Sequence, residues 1–194
     1  MLLQNYDYLM AFSNMCQRSD GSGQNSPSGI SLKRYDGITT DAYVSTSGLR
    51  LPMVSFRNDA NQHTFNSSQY NNLIVGSDDT PVTYTDSKIS PISTSSITPL
   101  THTNSNVLDE TTGEIVSTYR KTFNALADIT IKEIGVMYGV PYNSSSANGF
   151  LVYREVLETP IEVPLGANVV ITLTKRISTN PNQPADYVAT ANVE

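Results

Sequence analysis

The feature that most constrains this chain is a two-residue alternation of apolar and polar side chains that fills its C-terminal half. In EIVSTYRKTF, Ile115, Tyr119 and Phe123 fall on one side, with Arg120 and Thr122 on the other. In NVVITLTKRI, Val169, Ile171 and Leu173 share a face, opposed by Thr172 and Thr174. Side chains point to alternate faces only in an extended strand, so this period predicts strands with one face in a core. DITIKEIGVMYGV starts with Ile129 and Ile131 on one face and resumes with Ile134, Val136 and Tyr138 on the opposite parity. A strict strand cannot keep both sets inside, so a bulge or break is expected near Lys132-Glu133. YNSSSANG at 142–149 reads as a turn, GFLVYREVLE as a strand, TPIEV as a short strand and PLGA as a turn. Short strands separated by turn signals point to an all-β antiparallel sandwich, of jelly-roll or immunoglobulin-like type. The expected core is Ile115, Tyr119, Phe123, Ile134, Val136, Val152, Val169, Ile171 and Leu173.

Composition agrees with this pattern. Charged residues make up 15% of the 194, against about 25% in an average soluble domain. The polar surface must therefore be built from serine, threonine and asparagine, which suit pleated surfaces and turns. The net charge of −6, without a basic block, excludes an evident phosphate-binding face, so no nucleic-acid partner is expected. No run reaches the roughly 18 apolar residues of a membrane span. The opening MLLQNYDYLMAF lacks the basic n-region and long apolar run of a secretory signal, so no membrane partner is expected either. Without such a signal, the triplets at Asn66 and Asn143 read as ordinary loop residues.

Three segments follow from the same reading: an N-terminal arm and linker over 1–29, a sandwich domain over 30–178 and an extended C-terminal tail over 179–194. In the arm, Leu2, Leu3, Tyr6, Leu9 and Met10 are spaced like one face of a short helix, and SDGSGQNSPSG at 19–29 is a flexible linker. Such an arm either grips a neighbouring subunit or folds back on its own core. The residues assigned to an interface are Leu2, Leu3, Tyr6, Leu9, Met10 and Phe12 in the arm and Tyr187 in the tail. Asp36-Gly37 is a hairpin cue, 57–70 reads as a polar loop, and the serine- and threonine-rich 86–106 reads as an extended surface segment.

Candidate chemistry is sparse. The stretch NNLIVGSDDTPVTYTDSKI at 71–89 carries Asp78, Asp79 and Asp86. Hard cations need several oxygens converging at short range. Adjacent Asp78 and Asp79 point opposite ways on a strand, and Asp86 lies seven residues beyond Asp79, past Pro81. That spacing does not fit a calcium loop, although a site gathered from distant segments stays open. The simpler reading is that LIVG ends a buried strand, GSDDTP is a turn whose aspartates accept backbone hydrogen bonds, and VTYT starts an extended segment. Cys16 stands alone, so no intrachain disulfide forms, and nothing near it would lower its pKa. The histidine bases on offer, His63 and His102, lie in polar stretches, and no nucleophile elbow, phosphate loop or zinc pair occurs. A pair of carboxylates sufficient for a glycosidase leaves no spacing signature and stays open. Neither a catalytic residue, a metal nor a cofactor is assigned. Arg154 and Glu155, adjacent on a strand, each read as a cross-strand or interface partner; Glu133 reads as a paired carboxylate, and Gly135 and Gly166 as serving backbone geometry.

The order of motifs from about 71 to 177 resembles a module of tailed-bacteriophage structural proteins. It is carried by the strand–glycine–polar turn–Thr80-Pro81 sequence, Ile131-Lys132-Glu133-Ile134-Gly135-Val136, Phe150-Leu151-Val152-Tyr153-Arg154-Glu155-Val156, Thr159-Pro160-Ile161-Glu162-Val163-Pro164 and the strand from Leu165 to Leu173. The resemblance implies an all-β virion component without catalytic residues, made in the bacterial cytoplasm. Its partners would be other virion proteins (capsid, portal or neck, and tail subunits) and further copies of itself. The expected function is a non-enzymatic auxiliary head protein, for decoration or fibre anchoring, or a neck or tail adaptor. The alternative is a carbohydrate-binding adhesin module at a tail or fibre tip, with a groove lined by tyrosine and asparagine.

Overall fold

The computed structural model describes residues 1–9, 31–33, 39–41, 71–143, 146–178 and 186–194. They form a short helix, α1 over 4–9, and nine strands: β1 Ser31–Lys33, β2 Thr39–Asp41, β3 Asn71–Gly76, β4 Ile97–Asp109, β5 Glu114–Ala125, β6 Ile129–Asn143, β7 Ser146–Val163, β8 Asn168–Ser178 and β9 Asp186–Val193. The fold is all-β and antiparallel, with two main sheets ordered β3-β6-β7 and β4-β5-β8-β9, consistent with an all-β sandwich. Strand β1 pairs with β2, Ser31 opposite Asp41 and Lys33 opposite Thr39; the Asp36-Gly37 cue lies outside the described residues. The chain divides into two compact units, Met1–Pro91 with Glu133–Val156 and Ile92–Lys132 with Leu157–Glu194.

In the first unit, β3 and β6 pair with Leu73 opposite Val136, Ile74 opposite Gly135 and Gly76 opposite Glu133. Residues 73–76 are all buried, as the unbroken run LIVG requires. On the Ile74 side, Leu3, Met137 and Leu151 pack together, with Val82 and Ile89 beside them. Gly135 serves this packing rather than a turn, because a Cβ there would lie 2.7 Å from Ile89 Cδ1. The N-terminal segment joins the same unit. Leu2 bridges Tyr153, the Leu3 amide donates to the Val152 carbonyl at 3.0 Å, and Leu3 and Leu9 are fully buried. Each such burial contributes roughly 1.5–3 kcal/mol, which offsets part of the entropy lost in fixing the segment. Asn5 adds specificity, donating to the Leu151 carbonyl at 3.2 Å and the Lys33 carbonyl at 2.8 Å.

In the second unit, β5 pairs with β8 in unbroken register, with Tyr119 opposite Leu173, Lys121 opposite Ile171 and Phe123 opposite Val169. These six side chains are buried on one face. The parity change in β6 arises because Ile129 and Ile131 belong to this unit while Ile134, Val136 and Tyr138 belong to the other. β6 itself runs on as one strand through Lys132-Glu133. Three expectations are corrected. Ile115 shares the parity of Tyr119 but is exposed, because it sits at the hairpin end of the sheet beyond the buried part of the face. TPIEV is no separate strand: β7 continues through it, with Pro160 exposed. The C-terminal tail is extended as part of the sheet: β9 pairs with β8 from Val169–Val193 to Arg176–Asp186. Gly166 has φ +83°, the left-handed turn conformation that its place in PLGA implies.

Candidate functional site: a buried arginine among carboxylates

Among the described residues, a dense polar cluster lies in the first unit, around Arg154 of β7. Its Nε donates to Glu133 Oε2 of β6 at 2.7 Å, NH1 to Asp86 Oδ2 at 2.8 Å and NH2 to Asp78 Oδ2 at 3.4 Å. The Arg154 side chain is 4% exposed and that of Glu133 is 0%. A buried guanidinium persists only when its planar fork is matched by acceptors, and this one is. Glu133 Oε1 faces the other way and accepts from the Ser90 amide at 2.8 Å and the Asp78 amide at 3.3 Å. One carboxylate thus ties β6 to both ends of the loop that follows β3. Gly76 makes room for it: a Cβ there would collide with the Glu133 carboxylate and lie 2.7 Å from the Ser90 carbonyl oxygen.

The loop is also held locally. Asp78 accepts from the Thr80 amide at 3.0 Å and its hydroxyl at 2.8 Å, and Asp86 accepts from the Thr83 amide at 3.1 Å. Thr80's hydrogen bonds, aided by the Arg154 charge, hold the Asp78 carboxyl below its ordinary pKa. Burial pushes Asp86 up, but hydrogen bonds from Thr83 and Arg154 outweigh it and the net shift is downward. Burial likewise opposes the Arg154 charge, and Glu133 and Asp86 outweigh it, raising the arginine.

An open polar cleft of about 420 Å³ lies beside the cluster, bordered by Asp78, Asp86 and Arg154 with Lys33 and Lys88. Carboxylates therefore do converge, as a glycosidase would need. A general acid, however, requires a raised pKa, and both aspartates are shifted down. The cation among the three carboxylates is the arginine itself. Among the described residues, no group of three or more histidine, cysteine or acidic side chains is placed to hold a metal. What this arrangement does chemically is neutralise and fasten.

The residues singled out from sequence are dispersed. Asp79 is exposed. Glu155 turns to its own strand and accepts from the Tyr153 hydroxyl. His102 is half-buried on β4, its ring 6.1 Å from that of Tyr119. Leu3, Tyr6 and Leu9 are buried within the first unit and Leu2 is half-buried. Tyr187 pairs with Lys175 in the β8–β9 register. Met10, Phe12, Cys16, His63, the linker at 19–29 and the loop at 57–70 lie outside the described residues. Comparison with family models, curated proteins and solved structures finds no match.

Sequence reasoning treated Glu133, Arg154 and the aspartates separately and missed their union. The turn at 142–149 held part of the signal, since a hairpin there lays β7, which carries Arg154, beside β6, which carries Glu133. The approach of Asp78 and Asp86 has no comparable cue.

Among the described residues, the second unit carries two buried lysines on its apolar face. Lys121 Nζ lies 5.0 Å from the centre of the Phe123 ring, a cation–π contact. Lys175 is 1% exposed, and burial lowers its pKa to about 6.

Proposed function

We propose that this chain is a non-enzymatic structural subunit of a tailed-phage particle, at an auxiliary head position or as a neck or tail adaptor, acting through protein–protein contacts. One observation carries the reading. Glu133 in KEIG and Arg154 in YREV, charged residues of two motifs behind the virion resemblance, are spent on each other and on the loop at 77–90. A motif whose buried charges are consumed in fastening a loop encodes a shape, and a shape is what a particle subunit contributes. The exposed strand β4 carries threonine, serine and asparagine and no charge before Asp109, so another subunit can meet it without like-charge repulsion.

The test is the composition of the particle. Gradient-purified particles of the phage encoding the chain should contain it in many copies, cross-linked to capsid, neck or tail subunits. A chain abundant in the infected cell and missing from the particles would refute the reading. The adhesin alternative asks for an open tyrosine-lined groove. Among the described residues Tyr119, Tyr138 and Tyr153 are buried and Tyr84 is exposed, and specific binding on a glycan array would favour this alternative.

A further inference from the structure

We infer that strand β4 is a docking edge for a second copy of this chain, which adds its own β4 antiparallel across a two-fold axis close to Asn104. This narrows the subunit reading to one strand and one partner, and it rests on that reading.

Strand β4 is 13 residues long and, among the described residues, pairs with β5 alone. From Leu100 to Leu108 every side chain is exposed except His102, which is half-buried. An edge of this length presents a row of backbone N–H and C=O groups ready for another strand. Soluble proteins usually blunt such edges with lysine, proline, a bulge or a cover. Here Pro99 and the register shift between Pro99 and Thr101 affect only the start, and pairing with β5 is regular from Thr101 to Asp109. No Lys, Arg, Asp or Glu occurs between Ile97 and Leu108.

That absence of charge is what selects a copy of the chain as the occupant. Two chains of net charge −6 repel, and they approach with least opposition along an edge that carries none of that charge. The exposed apolar side chains Leu100, Val107 and Leu108 also lie on this strand, and a partner strand would cover them. An axis normal to the sheet keeps both faces in place only if it passes through a residue, because side chains alternate. The exposed run from 100 to 108 has its midpoint at Asn104. That register sets Asn104 opposite its own copy, Thr103 opposite Ser105, His102 opposite Asn106 and Thr101 opposite Val107. Each polar pair can hydrogen-bond, and no ionic repulsion arises. The result is a continuous eight-stranded sheet made from two four-stranded ones.

The experiment uses the full chain and measures solution mass by light scattering and sedimentation equilibrium. The expected species is a dimer of the 21.2 kDa chain. Asn104→Lys places two lysines face to face on the axis and should weaken the dimer at least about tenfold. Asn104→Glu should do the same, and mixing the two variants should restore association as a heterodimer. Circular dichroism on both variants checks that the exposed substitution leaves the strands formed. A wild-type monomer at all attainable concentrations, a dimer indifferent to both variants, or open chains from a β4–β9 contact would each overturn the inference. A monomer still incorporated into particles would refute the seam and leave the subunit reading standing.

Discussion

Replacing Arg154 with methionine tests whether the carboxylate cluster fastens the first unit. Methionine keeps much of the buried volume and removes the three charge-assisted bonds to Glu133, Asp86 and Asp78. Asp78 and Asp86 reach solvent and can rehydrate, their side chains being 37% and 21% exposed. Glu133 cannot, being 0% exposed. Breaking a buried pair by deleting one partner costs about 3–5 kcal/mol, because the survivor stays desolvated. Glu133 keeps its bonds from the Ser90 and Asp78 amides, which places the expected loss near the lower end, about 3 kcal/mol. That is a large fraction of the roughly 5–15 kcal/mol that holds a typical domain together. Urea unfolding at pH 7, followed by circular dichroism, gives the loss as a fall in midpoint at constant slope. The double variant Arg154→Met with Glu133→Gln removes the stranded charge and should recover part of it. Hydrogen exchange should show the 77–90 amides loosening before those of β3. A single-variant loss below about 1 kcal/mol, as for a surface pair, would refute the claim that the cluster is what fastens the loop.

Three further outcomes follow from named groups. Gly76→Ala should destabilise the first unit by more than an ordinary surface change, since its Cβ meets both the Glu133 carboxylate and the fixed Ser90 carbonyl; thermal unfolding would register it, and an unchanged midpoint would count against the close approach. Asp78 and Asp86 are depressed in the folded state, so the stability they confer is present above the unfolded value of about 3.9 and is lost as pH falls through their folded pKa. Asp86→Asn should therefore flatten the acid limb of a stability–pH curve below about pH 4, where an unchanged limb would contradict the assignment. Lys175 gives a slope of the same sign in a higher pH window: unfolded it binds a proton below about 10.4, and folded only below about 6. Stability should rise with pH across that window, and Lys175→Met should remove the slope and add a few kcal/mol at pH 7, on the order of the work of stripping one proton from the unfolded chain's lysine at that pH. Stability measurements at pH 7 and pH 9 decide this: equal stability of the wild type at both would contradict it.

Much of the fold could be read from residue types, because alternation is a local property that survives without knowledge of neighbours. EIVSTYRKTF and NVVITLTKRI became β5 and β8 with Tyr119, Phe123, Val169, Ile171 and Leu173 inside. LIVG ended strand β3 as read, and in the loop after it Asp78 accepts the Thr80 amide. Gly166 took the positive φ of a turn.

What only the tertiary structure decided were the relations between segments far apart in sequence. Hydrophobic period states that a side chain is buried and is silent on which unit buries it, so the change of parity in β6 gave no sign that its two parts belong to two units. Leu3 and Leu9 could have gripped a neighbour or their own chain, and the sequence of an amphipathic arm is the same in both cases; here they lie in the first unit. Arg154, Glu133, Asp78 and Asp86 span 76 positions and meet at one guanidinium. Charge pairing depends on distance through space, and composition carries no record of it.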